Sequence, residues 1–208
     1  MQRWVDEGRR RGHPHLLGIT GPPGTGKSTL ADAVVRCFGS DRVAVLPMDG
    51  FHLSNAELGR LGRRDRKGAV DTFDAHGFAV AVARVAALRT GDPPVYVPNF
   101  DRRLEEPVAG AHALDAGLGL VIVEGNYLGV DAEPWPRVRA ALTALWYLDS
   151  SPADRLRRLV DRHVAGGRTP AQARTYATKV DGANAELIAT SREHADRVLD
   201  EQDIAEFG

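Results

Sequence analysis

Short apolar runs alternate along the chain with longer stretches in which apolar residues recur every three or four positions. That pattern predicts strands separated by amphipathic helices. Residues 15–20, 42–47, 118–123 and 142–148 have strand length, and 118–123 is apolar throughout, as a strand covered on both faces must be. Leu30, Val34, Val35 and Phe38 share one face of a helix over 28–38, which Gly39 ends. Phe78, Val82, Val85 and Leu88 do the same for a helix capped by Thr72 or Asp74 and running to about residue 89. Residues 153–164 and 170–188 read as two more helices parted by Gly166-Gly167. Residues 95–98 and 107–108 read as strands around a polar loop, and 197–199 as a last short strand. The order predicts one three-layer α/β/α domain over 1–208 with a mainly parallel five-stranded sheet.

The first strand runs into Gly21-Pro22-Pro23-Gly24-Thr25-Gly26-Lys27-Ser28, followed by Thr29. A glycine, four variable residues and Gly-Lys-Ser between a buried strand and a helix form the Walker A phosphate-binding loop, so the fold expected is a P-loop NTPase. Glycines let backbone N–H groups turn inward on an anion, and the helix N-terminus adds partial positive charge there. Lys27 then reaches the terminal phosphates and Ser28 offers its hydroxyl to Mg²⁺, which points to a nucleoside triphosphate with Mg²⁺ as cofactors.

Composition narrows the partners. The chain has 208 residues, of which 43% are hydrophobic and 26% charged, an ordinary globular balance. A formal charge of −1 gives no reason to expect nucleic acid as a partner. No run approaches the roughly 18 apolar residues of a membrane span. The charged N-terminus leads into Gly12-His13-Pro14 rather than a signal core, so a cytoplasmic protein is expected. The single cysteine, Cys37, excludes an internal disulfide and reads as core of the first predicted helix. His13-Pro14-His15 lacks partners at zinc-ligand spacing. Trp135 and Trp146 read as packing.

Ligands of parallel α/β sheets sit at the carboxyl ends of strands. Asp49 follows the second strand in Met48-Asp49-Gly50-Phe51-His52, and Glu124 ends the most apolar one in Glu124-Gly125-Asn126-Tyr127. Phosphoryl transfer to an alcohol needs a carboxylate that accepts the hydroxyl proton and an acid near the metal, and these two suit those roles. An Asp-Gly pair alone is also a common turn. Thr178-Lys179-Val180-Asp181 has the spacing of a guanine-reading motif, but the stretch before it is helix-forming rather than a strand, so the match reads as chance.

Taken together, these residues resemble the uridine kinase, phosphoribulokinase and bacterial pantothenate kinase family, closest to its bacterial branch of sugar or nucleoside kinases. The matching pieces also include Asp71-Thr72-Phe73-Asp74, Pro98-Asn99-Phe100-Asp101-Arg102 and the Arg-rich stretch after Pro152, spanning roughly 15–190. The resemblance implies that Asp49 is the catalytic base and Glu124 the acid near Mg²⁺. It implies a small helical lid over about 153–169, with Arg158 and Arg162 on one helix face toward the phosphates, and Asn184 near the adenine. Family members are often homodimers. Val70 where pantothenate kinases carry Pro, and His52 where they carry Leu, argue against pantothenate as the acceptor.

The acceptor side is expected over about 50–73 and 95–108, with His52, Tyr96, Phe100, Arg102, Asp49 and Glu124 at the substrate and Arg66, Lys67 and Asp71 as further candidates. The Arg60–Lys67 run offers an anion site, although such runs are more often solvated loops. The reading is an ATP-dependent kinase acting on a hydroxyl of a nucleoside or sugar. The rivals are a pantothenate-type kinase and a nucleotide-dependent regulatory ATPase.

Overall fold

The computed structural model describes residues 1–205. Along them run α1 (Gln2–Arg11), β1 (His15–Thr20), α2 (Lys27–Phe38), β2 (Val43–Pro47), α3 (Asn55–Arg60), α4 (Ala75–Ala86), β3 (Val95–Asp101), β4 (Glu106–Leu114), β5 (Leu120–Glu124), α5 (Trp135–Ala140), β6 (Ala144–Leu148), α6 (Pro152–Ala165), α7 (Pro170–Tyr176), α8 (Gly182–Ala189), β7 (Arg197–Leu199) and α9 (Glu201–Ala205). Five strands form one parallel sheet in the order β2-β5-β1-β6-β7, and β3 with β4 makes a separate antiparallel hairpin.

Neighbouring residues of a strand face opposite sides of its sheet, so each inner strand feeds two cores. Leu16, Val121 and Val123 pack with Phe78, Val82 and Trp135 from α4 and α5 on one side. Leu17, Ile19, Leu120 and Ile122 pack with Val5, Leu30 and Val34 from α1 and α2 on the other. This is the three-layer arrangement expected, and each such side chain buried contributes about 1.5–3 kcal/mol.

α1 was not anticipated. Only Trp4, Val5 and Gly8 face inward in an otherwise charged segment, too few to show a period. Gly8 and Gly119 let the two backbones touch, since a Cβ at Gly8 would lie 2.1 Å from the Gly119 carbonyl oxygen. Half of the supposed loop over 99–106 is strand: β3 runs on to Asp101 and β4 begins at Glu106, with a four-residue turn between them at which Glu105 has φ 54°. Asp74, not Thr72, caps α4, accepting from Gly77 N at 2.8 Å. The helix expected over 170–188 runs on but widens into a π-helical turn over Ala177–Asp181. Cys37 is exposed rather than core, because it falls on the solvent side of α2. Among the described residues no helix is long and apolar enough to cross a membrane.

Candidate active site

The carboxyl ends of β1, β2 and β5 open on a cavity of about 340 Å³. Its floor is the turn between β1 and α2. Gly24 and Gly26 have φ of 84° and 92°, conformations that glycine alone adopts without strain. At Gly24 a Cβ would also meet the α6 backbone at Arg155, 3.0 Å away. Thr25 Oγ1 donates to the Pro22 carbonyl at 2.9 Å, closing the turn. Lys27 is 6% exposed, and its Nζ donates to the carbonyls of Gly21 (2.9 Å) and Pro22 (3.1 Å). Burial lowers its pKa to about 8, against the pull of Glu124 and Asp49 and with help from Arg162 and Arg155.

Glu124, at the tip of β5, is 9% exposed and accepts from Ser28 Oγ at 3.3 Å. Burial, then the charge of Asp49, raises its pKa to about 7, opposed by Lys27, Ser28 and Arg102. Burial thus pushes both members of this pair toward neutrality. A hydroxyl beside a carboxylate at a helix start is an oxygen donor set that fits a hard divalent cation, and such a cation would favour the ionised Glu124.

Asp49 sits in a short 3₁₀ turn, Met48–Phe51, directly after β2. Its side chain lines the cavity, 35% exposed, with Arg102 Nη2 3.6 Å from Oδ2. Gly50 makes that position available, because Pro98 crosses so close that a Cβ would lie 2.3 Å from its carbonyl oxygen. The His52 ring donates from Nδ1 to the Asp49 carbonyl at 2.8 Å and packs on Phe73 and Phe100 at centroid distances of 4.0 and 4.9 Å. With that nitrogen carrying the proton and burial lowering its pKa, neutral His52 keeps a free acceptor lone pair on Nε2.

The cavity is lined by Pro23, Gly24, Gly26, Lys27, Ser28, Thr29, Asp49, His52, Phe100, Arg102, Glu124, Arg158, Arg162 and Asn184, all expected from the sequence. Gly21, Pro22 and Thr25 stand behind them, shaping the loop and holding Lys27. Tyr96 is a correction: it lies on β3, 63% exposed and outside the cavity, because strand alternation turns it away from its buried neighbours Val95 and Val97. Arg66 and Asp71 are also outside, paired with each other at 2.6 Å.

The two arginines of α6 differ. Arg158 donates to the Gly24 carbonyl (3.2 Å), Ser150 Oγ (3.3 Å) and Glu201 Oε1 (2.9 Å), so it ties α6 to the phosphate loop. The Arg162 side chain has no hydrogen bond or ion pair among the described residues and stands free at the cavity rim. Asn184 donates to the Gly68 carbonyl at 3.1 Å, which puts its amide against the 50–73 segment. Tyr127 OH donates to the same carbonyl at 2.6 Å, and Tyr176 OH to that of Lys67 at 2.6 Å. The Thr178–Asp181 match lies in the π-helical turn, where Asp181 is buried against His163 Nε2 at 2.7 Å. His163, Tyr176 and Asp181, whose helical spacing looks like any amphipathic face, and Arg168, in the loop between α6 and α7, line the cavity although sequence reasoning did not single them out.

The fold is that of the P-loop kinases. A solved structure from Silicibacter, described as a candidate fructose transport system kinase, is 34% identical over 95% of this chain and 96% of that one, with a TM-score of 0.82. A candidate uridine kinase of Schizosaccharomyces pombe is 33% identical over 73% of this chain and 67% of its own length. An ATP-dependent kinase-like protein of Aspergillus versicolor is 34% identical over 70% and 88%. No family model matches the chain. The chain belongs to the family of P-loop kinases that includes uridine kinase, phosphoribulokinase and pantothenate kinase.

Proposed function

We propose that the protein transfers the γ-phosphate of ATP to a hydroxyl of a small metabolite of the sugar or nucleoside class. The observation that carries this is the meeting of Asp49 with Lys27, Ser28 and Glu124 in one cavity, close enough for Asp49 to act on the titration of both buried partners. Asp49 accepts the proton of the attacking hydroxyl. Lys27 leaves the two loop carbonyls for the β- and γ-phosphates, and Arg162 meets the charge of the transferring group. Ser28 and Glu124 hold Mg²⁺, which when bound neutralises charge on the phosphate oxygens. α6 with the Gly166-Gly167 turn acts as the lid, and His52, Phe100 and Arg102 bound the acceptor.

An ADP-release screen over sugars, nucleosides and vitamins tests the reading, with Asp49→Asn as the blank. The variant is expected to bind ATP as the wild type does and to lose at least about 10²-fold in turnover, the scale of general-base catalysis. Full turnover in that variant removes Asp49 from the mechanism. ATP consumption that needs no added acceptor favours a regulatory ATPase instead.

A further inference from the structure

The cavity wall carries two cations that this transfer chemistry does not use. Lys67 Nζ lies 4.9 Å from the centroid of the Phe100 ring, and the Arg168 guanidinium carbon lies 4.2 Å from that of Tyr176. Both side chains line the cavity and are half-buried. Tyr176 joins them, because its hydroxyl donates to the backbone carbonyl of Lys67. Neither cation has a carboxylate within 4.0 Å among the described residues.

Elsewhere this chain pairs arginines with carboxylates: Arg63 and Arg66 with Asp71, Arg42 with Asp6, Arg139 with Asp131. At the cavity the acids are committed or apart. Beside the cavity both oxygens of Glu106 accept from Asn55 N at 3.0 Å; on its wall Asp181 holds His163, and Asp49 faces Arg102. Glu105 lines the cavity as well; its carbonyl accepts from Lys67 at 2.5 Å, while its carboxylate and that of Glu106 act on Lys67 only from beyond ion-pair distance. Lys67 also donates to Asn55 Oδ1 (2.9 Å), and Arg168 approaches Nδ1 of His163 on α6 (3.3 Å). An aromatic face holds a cation in place without cancelling its charge. A desolvated cation left so gains most from an incoming anion, and the fork of Arg168 matches carboxylate or phosphate oxygens.

We infer that the acceptor carries a fixed negative charge, a carboxylate or a phosphate ester, seated between Lys67 and Arg168 while its hydroxyl faces Asp49. This rests on the kinase reading above and narrows it, from neutral sugars and nucleosides to sugar acids, hydroxy acids and sugar phosphates.

The test offers matched acceptors: glycerol against glycerate, glucose against gluconate, ribose against ribose 5-phosphate. The anionic member of a pair is expected to drive ADP release and the neutral one not, and the acid and ester arms tell the two anions apart. For the responding compound, Arg168→Gln and Lys67→Gln each raise the acceptor KM about tenfold or more, the scale of one lost charge-assisted hydrogen bond, and Lys67→Gln leaves the KM for ATP within about twofold. A neutral member consumed as fast as its anionic partner, with Asp49→Asn silent, leaves the kinase standing and overturns the anion site. If none of the six is consumed, calorimetric titration with inorganic phosphate decides, the phosphate loop being filled by a non-hydrolysable ATP analogue. Weaker binding to Arg168→Gln than to the wild type supports the site; equal binding, or none to either, overturns it.

Discussion

Replacing Gly50 by alanine isolates what positions Asp49. The added methyl would sit 2.3 Å from the Pro98 carbonyl oxygen, 2.6 Å from its carbon and 3.0 Å from Asn99 N, all backbone atoms with no rotamer to escape into. Ordinary contact needs about 3.5 Å, so the 3₁₀ turn and β3 must separate by about 1 Å. β3 is already irregular at this point, its register shifting between Val97 and Asn99, and Phe51 on the other side of Gly50 packs against Phe78 at 5.2 Å. Overpacking of this kind costs about 1–3 kcal/mol, and a 1 Å misplacement of a reacting group costs about 10²-fold in rate. Thermal unfolding and turnover on the acceptor found by the screen are therefore both expected to fall, while ATP affinity holds, because the phosphate loop is untouched. A Gly50→Ala variant with wild-type melting and a kcat within about threefold of normal would refute the idea that the Pro98 crossing sets the Asp49 carboxylate.

Two further outcomes follow from burial. Phe78 is fully buried between Phe51 and Trp135, so Phe78→Ala should lose about 3–5 kcal/mol in denaturant melts; a loss under about 1 kcal/mol would contradict that packing. Glu124 has its pKa raised from 4.5 to about 7, so the folded chain binds a proton there that the unfolded chain has released. Its contribution to stability is present below about 4.5 and lost as pH rises toward 7, and Glu124→Gln should flatten that part of the wild-type stability profile. Parallel profiles for the two proteins would place the carboxyl in water.

The sheet was legible because its inner strands are buried on both faces: 118–123 could be little else, and the Walker A turn fixed its neighbours. Asp49 and Glu124 were legible as acids at strand tips. Tyr96 misled because a β-branched and aromatic strand shows its period but not which face looks at the cleft. The hairpin was cut short for a related reason. β4 is exposed over Val108–Gly110, so it lacks the apolar alternation that marks a strand against a core. Arg168 falls inside the expected lid without being singled out, and Tyr176 reads as one more helical position, because both reach the cavity only through the Gly166-Gly167 turn and the chain path beyond it. Of the Arg60–Lys67 run, pairing to Glu57 and Asp71 removes Arg60, Arg63 and Arg66, and the cavity receives Lys67 alone.

The two carbonyls of Lys67 and Gly68 are gripped by Tyr127, Tyr176 and Asn184, residues 59, 109 and 116 positions away. On a growing polypeptide the acceptor segment therefore emerges long before these three side chains can grip it. Ribosomal synthesis must pass α7 and enter α8 before this wall of the cleft is complete, so acceptor recognition is among the last features the chain acquires.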